Sequence, residues 1–203
     1  MRLKVDVIVT SGTAATRAAK EATVTIPIVM AQDPDPVGSG FAASLARPGG
    51  NITGLTALTP ELSGKRLELL KEILPKLSRV AIFGTSTNPG NAQSLRETEL
   101  AAGALGVKRQ YLDVLDPKDI ETAFRVASRA RADAVLVLGG SPVLNSRRTQ
   151  IVDLAVKHRL PAGYVQPEYV DAGGLMYYGT SFTDIYRRAA RLRNTRWKRA
   201  LSR

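Results

Sequence analysis

At 203 residues, 44% of them hydrophobic, the chain can bury one sizeable core or two modest ones. It has no cysteine and one histidine, which excludes disulfides and thiolate metal sites and leaves little material for a histidine metal centre or a Ser-His-Asp triad. Eight of the 29 basic residues lie from Arg187 onward with no acid among them, so the +11 net charge belongs mostly to the carboxyl end and argues little for a nucleic-acid or membrane partner of the body.

No stretch approaches the roughly 20 apolar residues of a membrane helix. The opening MRLKVD runs straight into a strand, with no apolar signal core and no small-residue cleavage site, so the chain as written carries no export signal. Residues 5–10, VDVIVT, form a β-branched run that ends at Ser11-Gly12, and the following TAATRAAKEA has helix-forming composition. This strand, tight loop and helix start put backbone N–H groups beside the hydroxyls of Thr10, Ser11 and Thr13, an arrangement that suits a carboxylate. For any one of these hydroxyls, ordinary capping of the helix by Ser11 or Thr13 is the stronger expectation.

The apolar TIPIVMA, residues 25–31, reads as a buried strand halted by Asp33-Pro34-Asp35-Pro36. Arg47-Pro48-Gly49-Gly50-Asn51 turns the chain before a second β-rich run, residues 52–58. Gly38-x-Gly40-x-x-Ala43 matches the dinucleotide fingerprint in form only, because that fingerprint follows its strand directly and here an Asp/Pro loop intervenes. Asp33 and Asp35 suit paired acid-base or Mg²⁺ chemistry, and suit turn initiation at Asp-Pro steps better.

The pattern changes near residue 58, where the first domain crossing is placed. Ser63 is expected to cap a helix, GKRLELLKEIL, with Leu67, Leu70, Ile73, Leu74 and Leu77 on its core face. From Arg79 strands and helices alternate: RVAIFG, AQSLRETELAAGAL, KRQYLDV, PKDIETAFRVASRARA, AVLVLG, PVLNSRRTQIVDLAVKHR, PAGYV and GLMYYG. Such alternation implies right-handed crossovers and a parallel sheet. Asp116-Pro117 and Ser141-Pro142 each put a capping residue before a proline at the first helical position. His158, between Lys157 and Arg159 at a helix end, reads as a surface residue.

Ligands of open parallel sheets sit outside the carboxyl ends of the strands. That rule selects Thr10, Ser11, Gly12 and Thr13, then Gln32, Asp33 and Pro34, in the first domain. In the second it selects Thr85, Ser86, Thr87, Asn88 and Asn91, then Gly140 and Ser141, Pro167 and Glu168, and Tyr178. The aromatic ring of Tyr178 serves either sheet packing or stacking on a planar ligand.

The segment DPDPVGSGFAASLARPGGNITGL resembles the signature of ABC-transporter substrate-binding proteins of the tryptophan-uptake type. The likeness extends from Val5 to about Ala190 through SGTAATRAAK, LSGKRLELLKEILP, FGTSTNPGN and EYVDAGGLMYYG. It implies an α/β chain with two Rossmann-like lobes of a type I periplasmic-binding-protein fold, the first lobe incomplete and the second a parallel sheet flanked by helices. Residues 1–58 would be the latter half of the first lobe, 59–179 the second lobe, 180–190 a helix returning to the first, and 191–203 a basic tail outside the family pattern. A shifted reading frame or misassigned ends would account for that tail.

The function implied is a non-enzymatic solute-binding component of an ABC importer. It would grip a small organic solute, an amino acid with an aromatic side chain allowed, by hinge closure of two lobes, with a membrane ABC permease as partner and no cofactor, metal or catalytic group. The resemblance implies a periplasmic or membrane-anchored extracytoplasmic location, whereas the chain as written would stay in the cytoplasm. The rivals are a ligand-sensing domain of a transcriptional regulator, against which the lack of a preceding helix-turn-helix counts, and an α/β enzyme using a phosphorylated substrate, for which the strand-end loops offer no lysine. Nucleic acid is not expected as a partner, although Trp197 among arginines in the tail would suit stacking on a base.

Overall fold

The computed structural model describes residues 5–57 and 60–195. Trp197 and the rest of the final basic segment lie outside the described residues, as does the boundary placed near residue 58. In chain order the elements are β1 (Ile8–Ser11), α1 (Thr13–Ala22), β2 (Ile28–Asp33), β3 (Ile52–Thr56), α2 (Glu61–Ile73), β4 (Arg79–Gly84), α3 (Pro89–Ala104), β5 (Lys108–Asp113) and α4 (Pro117–Arg129). They continue with β6 (Ala134–Val137), α5 (Pro142–Ser146), α6 (Arg148–Lys157), β7 (Ala162–Tyr164), α7 (Glu168–Asp171), β8 (Met176–Tyr177) and α8 (Phe182–Thr195). Two compact units divide the chain, one comprising Met1–Leu58 with Thr180–Arg203 and the other Thr59–Gly179.

The first unit is built on a parallel sheet in the order β1-β2-β3. Its central strand buries Ile28, Val29, Met30 and Ala31 in succession, as a strand covered on both faces must. β2 runs on to Asp33 rather than stopping at the Asp/Pro run, because Pro34 is the first residue there without an N–H to donate. The connection from β2 to β3 is packed down: Phe41 joins Ile28, Met30 and Ile52 in the core, the Arg17 guanidinium lies 5.4 Å from its ring centroid, and Lys20 Nζ donates to the Gly40 carbonyl at 2.7 Å. Helix α8 returns to this unit and buries Ile185 and Ala189. Its approach is fixed by the Thr180 hydroxyl, which donates to the Ala57 carbonyl at 2.7 Å.

The second unit has a parallel sheet in the order β5-β4-β6-β7-β8. Alternation along β4 sends Val80 and Ile82 into one layer with Leu67, Leu70 and Leu77, and Ala81 and Phe83 into the other with Ile120, Phe124 and Ile151. Phe83 and Phe124 meet edge to face at 4.9 Å. Burying a side chain of this size contributes about 1.5–3 kcal/mol. The two proline-preceded caps form: Asp116 accepts from the Lys118 N–H in a reciprocal box with Asp119, and Ser141 Oγ accepts from the Leu144 N–H.

Several local expectations are corrected. Helix α2 starts at Glu61, so Ser63 is an interior residue, buried and accepting from Arg66 Nη1 at 3.0 Å, rather than a cap. Ile73 is 49% exposed, because the buried apolar face of α2 is narrower than the apolar set and keeps Leu67 and Leu70, while Leu77 is buried from the turn after the helix. The single helix expected over 142–159 is two, parted at Arg147, whose φ of −111° and ψ of 21° leave the helical region. A short helix, α7, occupies residues read as loop. His158 is not simply solvated: its ring stacks on Phe124 at 5.7 Å and its Nδ1 lies 3.0 Å from Ser128 Oγ, since α6 packs beside α4.

Candidate functional site

In the first unit, parallel pairing in one sheet brings the carboxyl ends of β1 and β2 side by side. Ser11 lies opposite Gln32, and the Gly12 N–H donates to the Gln32 carbonyl at 2.9 Å. Gly12 enters α1 with φ 82°, a conformation glycine adopts without strain, and the helix has no side-chain cap. Ser11 and Thr13 therefore do not cap it. Thr10 faces inward instead, its hydroxyl 2.9 Å from the buried Thr16 hydroxyl. The exposed Ser11 hydroxyl lies 2.8 Å from the Tyr186 hydroxyl and accepts from Gln32 Nε2 at 3.4 Å.

Asp33 closes the tip of β2 with no exposed surface. One carboxylate oxygen accepts from the Asp35 N–H at 3.0 Å, and the other has no hydrogen-bond partner among the described residues. Burial pushes this carboxyl above the ordinary carboxylate range. The Asp35 N–H, the nearby Thr13 hydroxyl and the Arg17 guanidinium offset only part of that cost. Pro34 follows, half-buried, and begins the turn.

In the second unit the sheet order decides which loops meet. β4 connects to β5 on one side, and the chain then crosses to β6 on the other, so the topological switch point lies between the tips of β4 and β6. The residues after those strands converge there. Asn91 accepts from the Thr85 N–H and donates to the Gly139 carbonyl, both at 2.7 Å, while Asn88 Nδ2 donates to the Gly140 carbonyl at 2.7 Å. Gly140 has φ 82°, and a Cβ there would lie 2.7 Å from Asn88 Nδ2, so a side chain would break this link. The hydroxyls of Thr85 and Ser141 are 2.6 Å apart and buried, with Thr85 also donating to the Val114 carbonyl at 2.9 Å.

Ser86 is exposed but committed: its N–H and hydroxyl both donate to Asp113 at the tip of β5, at 2.8 and 2.5 Å. Burial acts to raise the Asp113 carboxyl, but these two bonds and one from Tyr111 outweigh it and hold it below the ordinary range. Burial and the Asp113 charge in turn push the Tyr111 phenol up to about 12. Thr87 is exposed, Pro167 half-buried and Glu168 exposed at the start of α7.

Tyr178, 38% exposed, follows β8, with its N–H on the Tyr164 carbonyl at 3.1 Å. Its own carbonyl accepts from Arg66 Nε at 2.6 Å. Arg66 is fully buried in α2, and desolvation lowers its guanidinium to about 10, a cost set against this charge-assisted bond and the one to Ser63. Tyr164 is wholly buried against Tyr169, with ring centroids 4.5 Å apart, and belongs to the core.

The predicted residues thus gather at the strand tips of their own units, in two kinds. Thr10, Asp33, Thr85, Asn91 and Ser141 are buried and hold the tips together. Ser11, Gly12, Thr13, Gln32, Ser86, Thr87, Asn88, Gly140 and Tyr178 retain exposed surface. Reading the sequence missed Tyr186, Arg66 and Asp113. Asp113 was open to the strand-tip rule applied to β5, whereas Arg66 and Tyr186 sit on helices that only packing brings to the tips.

Residues 2–194 match the family described as ABC transporter substrate binding protein. A curated relative, the tyrosine-binding protein of Clostridioides difficile strain R20291, is 39% identical over 84 residues, which make up 41% of this chain and 24% of that protein. Among solved structures, a Streptococcus pneumonia ABC domain in complex with L-Trp matches with a TM-score of 0.81 at 22% identity, covering 92% of this chain and 64% of that one. A conserved domain protein of Vibrio cholerae matches with a TM-score of 0.80 at 28% identity, covering 95% of this chain and 65% of that one. The match spans about a quarter of the curated relative and just under two thirds of these solved chains.

Proposed function

This chain belongs to the ABC transporter substrate binding protein family, and from that premise we propose that it is the solute-binding part of an ABC importer. It takes a small organic solute, an amino acid with aromatic ones foremost, and presents it unaltered to a membrane permease outside the cytoplasm. The single observation that carries this reading is the family match running through both units and all of their strand tips. The L-Trp complex of one structural relative and the tyrosine-binding name of another support the ligand class.

The exposed groups at the tips suit such a solute. In the first unit Ser11, Thr13 and Gln32, and separately in the second Thr87, Asn88 and Gly140, keep exposed surface and offer neutral donors and acceptors of the kind a carboxylate or an ammonium group binds. The buried set, Thr85 with Ser141 and Asn91 with Gly139, locks the loops that present them, so little ordering is left to be done when a solute binds.

The test is a thermal-denaturation screen of the chain against the twenty amino acids. A ligand at a hundred times its Kd is expected to raise Tm by about 5–10 °C. The proposal fails if no amino acid shifts the transition.

A further inference from the structure

Tyr186 lies on α8, a helix whose attachment does not depend on it. Ile185 and Ala189 are buried and hold α8 to its unit, and the Ser181 hydroxyl accepts from the Asp184 N–H in the first turn. Tyr186 projects from the flank of this fixed helix with 46% of its surface exposed, and its hydroxyl reaches Ser11 Oγ at 2.8 Å. Ser11 is the last residue of β1, and Gln32 Nε2 donates to the same oxygen at 3.4 Å. One side chain from the neighbouring strand tip and one from α8 therefore converge on the single exposed hydroxyl of Ser11.

An exposed bond between two hydroxyls adds little to stability, because water competes for both partners. Its effect is on orientation: it tethers the far end of the ring and leaves a half-open aromatic face beside the carboxyl ends of β1 and β2. A tethered aromatic ring loses little freedom when it stacks on another ring. The tip polar groups suit the zwitterionic end of an amino acid, and the ring suits a planar side chain.

We infer that Tyr186 is a specificity-determining residue of the solute site, with its ring stacking on the side chain of an aromatic amino acid while the Ser11 hydroxyl, shared with Gln32, sets the ring's angle. The inference rests on the solute-binding reading above and deepens it by naming the side-chain class selected and the group that selects it.

Calorimetric titration of the whole chain with L-tryptophan, L-tyrosine and L-leucine tests it. In Tyr186→Leu the Kd for the two aromatic amino acids rises roughly three- to ten-fold, the worth of one aromatic pair, while leucine binding stays within about two-fold. A ratio of tryptophan to leucine affinity equal to that of the unaltered protein overturns the inference and leaves the solute-binding reading standing. If the unaltered protein binds none of the three, the inference falls, while the solute-binding reading stands or falls with the screen of all twenty amino acids.

Should Tyr186→Leu fail to fold, Tyr186→Phe carries the test, since it unties the ring from Ser11 and keeps its packing. It is then expected to weaken aromatic solutes about two- to three-fold, the worth of one exposed hydrogen bond, and to weaken leucine less. Equal weakening of aromatic solutes and leucine overturns the inference.

Discussion

Asp33 carries the largest unresolved polar cost at a strand tip. One of its carboxylate oxygens is buried with no partner among the described residues, and burial raises its pKa. The native state therefore holds this proton more tightly than the unfolded chain does. The cost of the charge is absent below the ordinary carboxyl value, grows through the window above it and is complete once pH exceeds the raised value. Asp33→Asn keeps the acceptor for the Asp35 N–H and removes the charge. It is expected to stabilise the protein by about 1 kcal/mol at pH 7 and to flatten the rise in stability that the unaltered chain shows as pH falls from 7 toward the ordinary carboxyl value, about 4. Urea unfolding of both proteins at the two pH values checks this, and an Asp33→Asn variant no more stable than the unaltered chain at pH 7 refutes it. The sequence placed Asp33 at a strand end through the Asp-Pro step, but its burial follows tertiary pairing, with Thr56 of β3 opposite it and the Ala57 N–H donating to its carbonyl across the long connection from β2.

Helix ends show how far local chemistry reaches. Helices α3, α4 and α6 finish in the same way, with paired bonds such as the Ala132 N–H to the Ala127 carbonyl and the Leu160 N–H to the Ala155 carbonyl. The left-handed position is Gly106 after α3 but Arg131 after α4 and Arg159 after α6, with φ of 55° and 54°. A side chain in that region is strained, and both arginines are exposed, so replacing them sacrifices no packing. Arg131→Gly and Arg159→Gly are each expected to raise unfolding free energy by about 0.5–1 kcal/mol, as read by urea denaturation, and a loss of stability in both would refute the strain argument. The start signals at Asp116-Pro117 and Ser141-Pro142 were legible because a cap and a proline act within one turn. The break at Arg147 was not, since the apolar pattern continues through it into Ile151, Val152 and Ala155, which face the core.

For the molecule as a whole, the fold is the α/β type I periplasmic-binding-protein fold, and the stability of its parts is uneven. β4 and β6 are flanked by strands on both sides and are almost wholly buried, whereas β1 is an edge strand with Val9 64% exposed. Native-state amide exchange is expected to be slowest in β4 and β6 and faster by orders of magnitude in β1. Equal protection of β1 and β4 would refute this ranking.

The sequence by itself determined that this is a parallel α/β protein and, to within about two residues, where its strands end, because periodicity, prolines and caps act over a few residues. It also carried the family likeness that the match over residues 2–194 bears out. Only the tertiary structure decided the order β5-β4-β6-β7-β8, which sets the switch point, and the pairs that join Ser11 to Tyr186 and Arg66 to Tyr178 across 175 and 112 residues. Such partners are chosen by which faces pack together, and that depends on the shape of the whole core rather than on any local pattern.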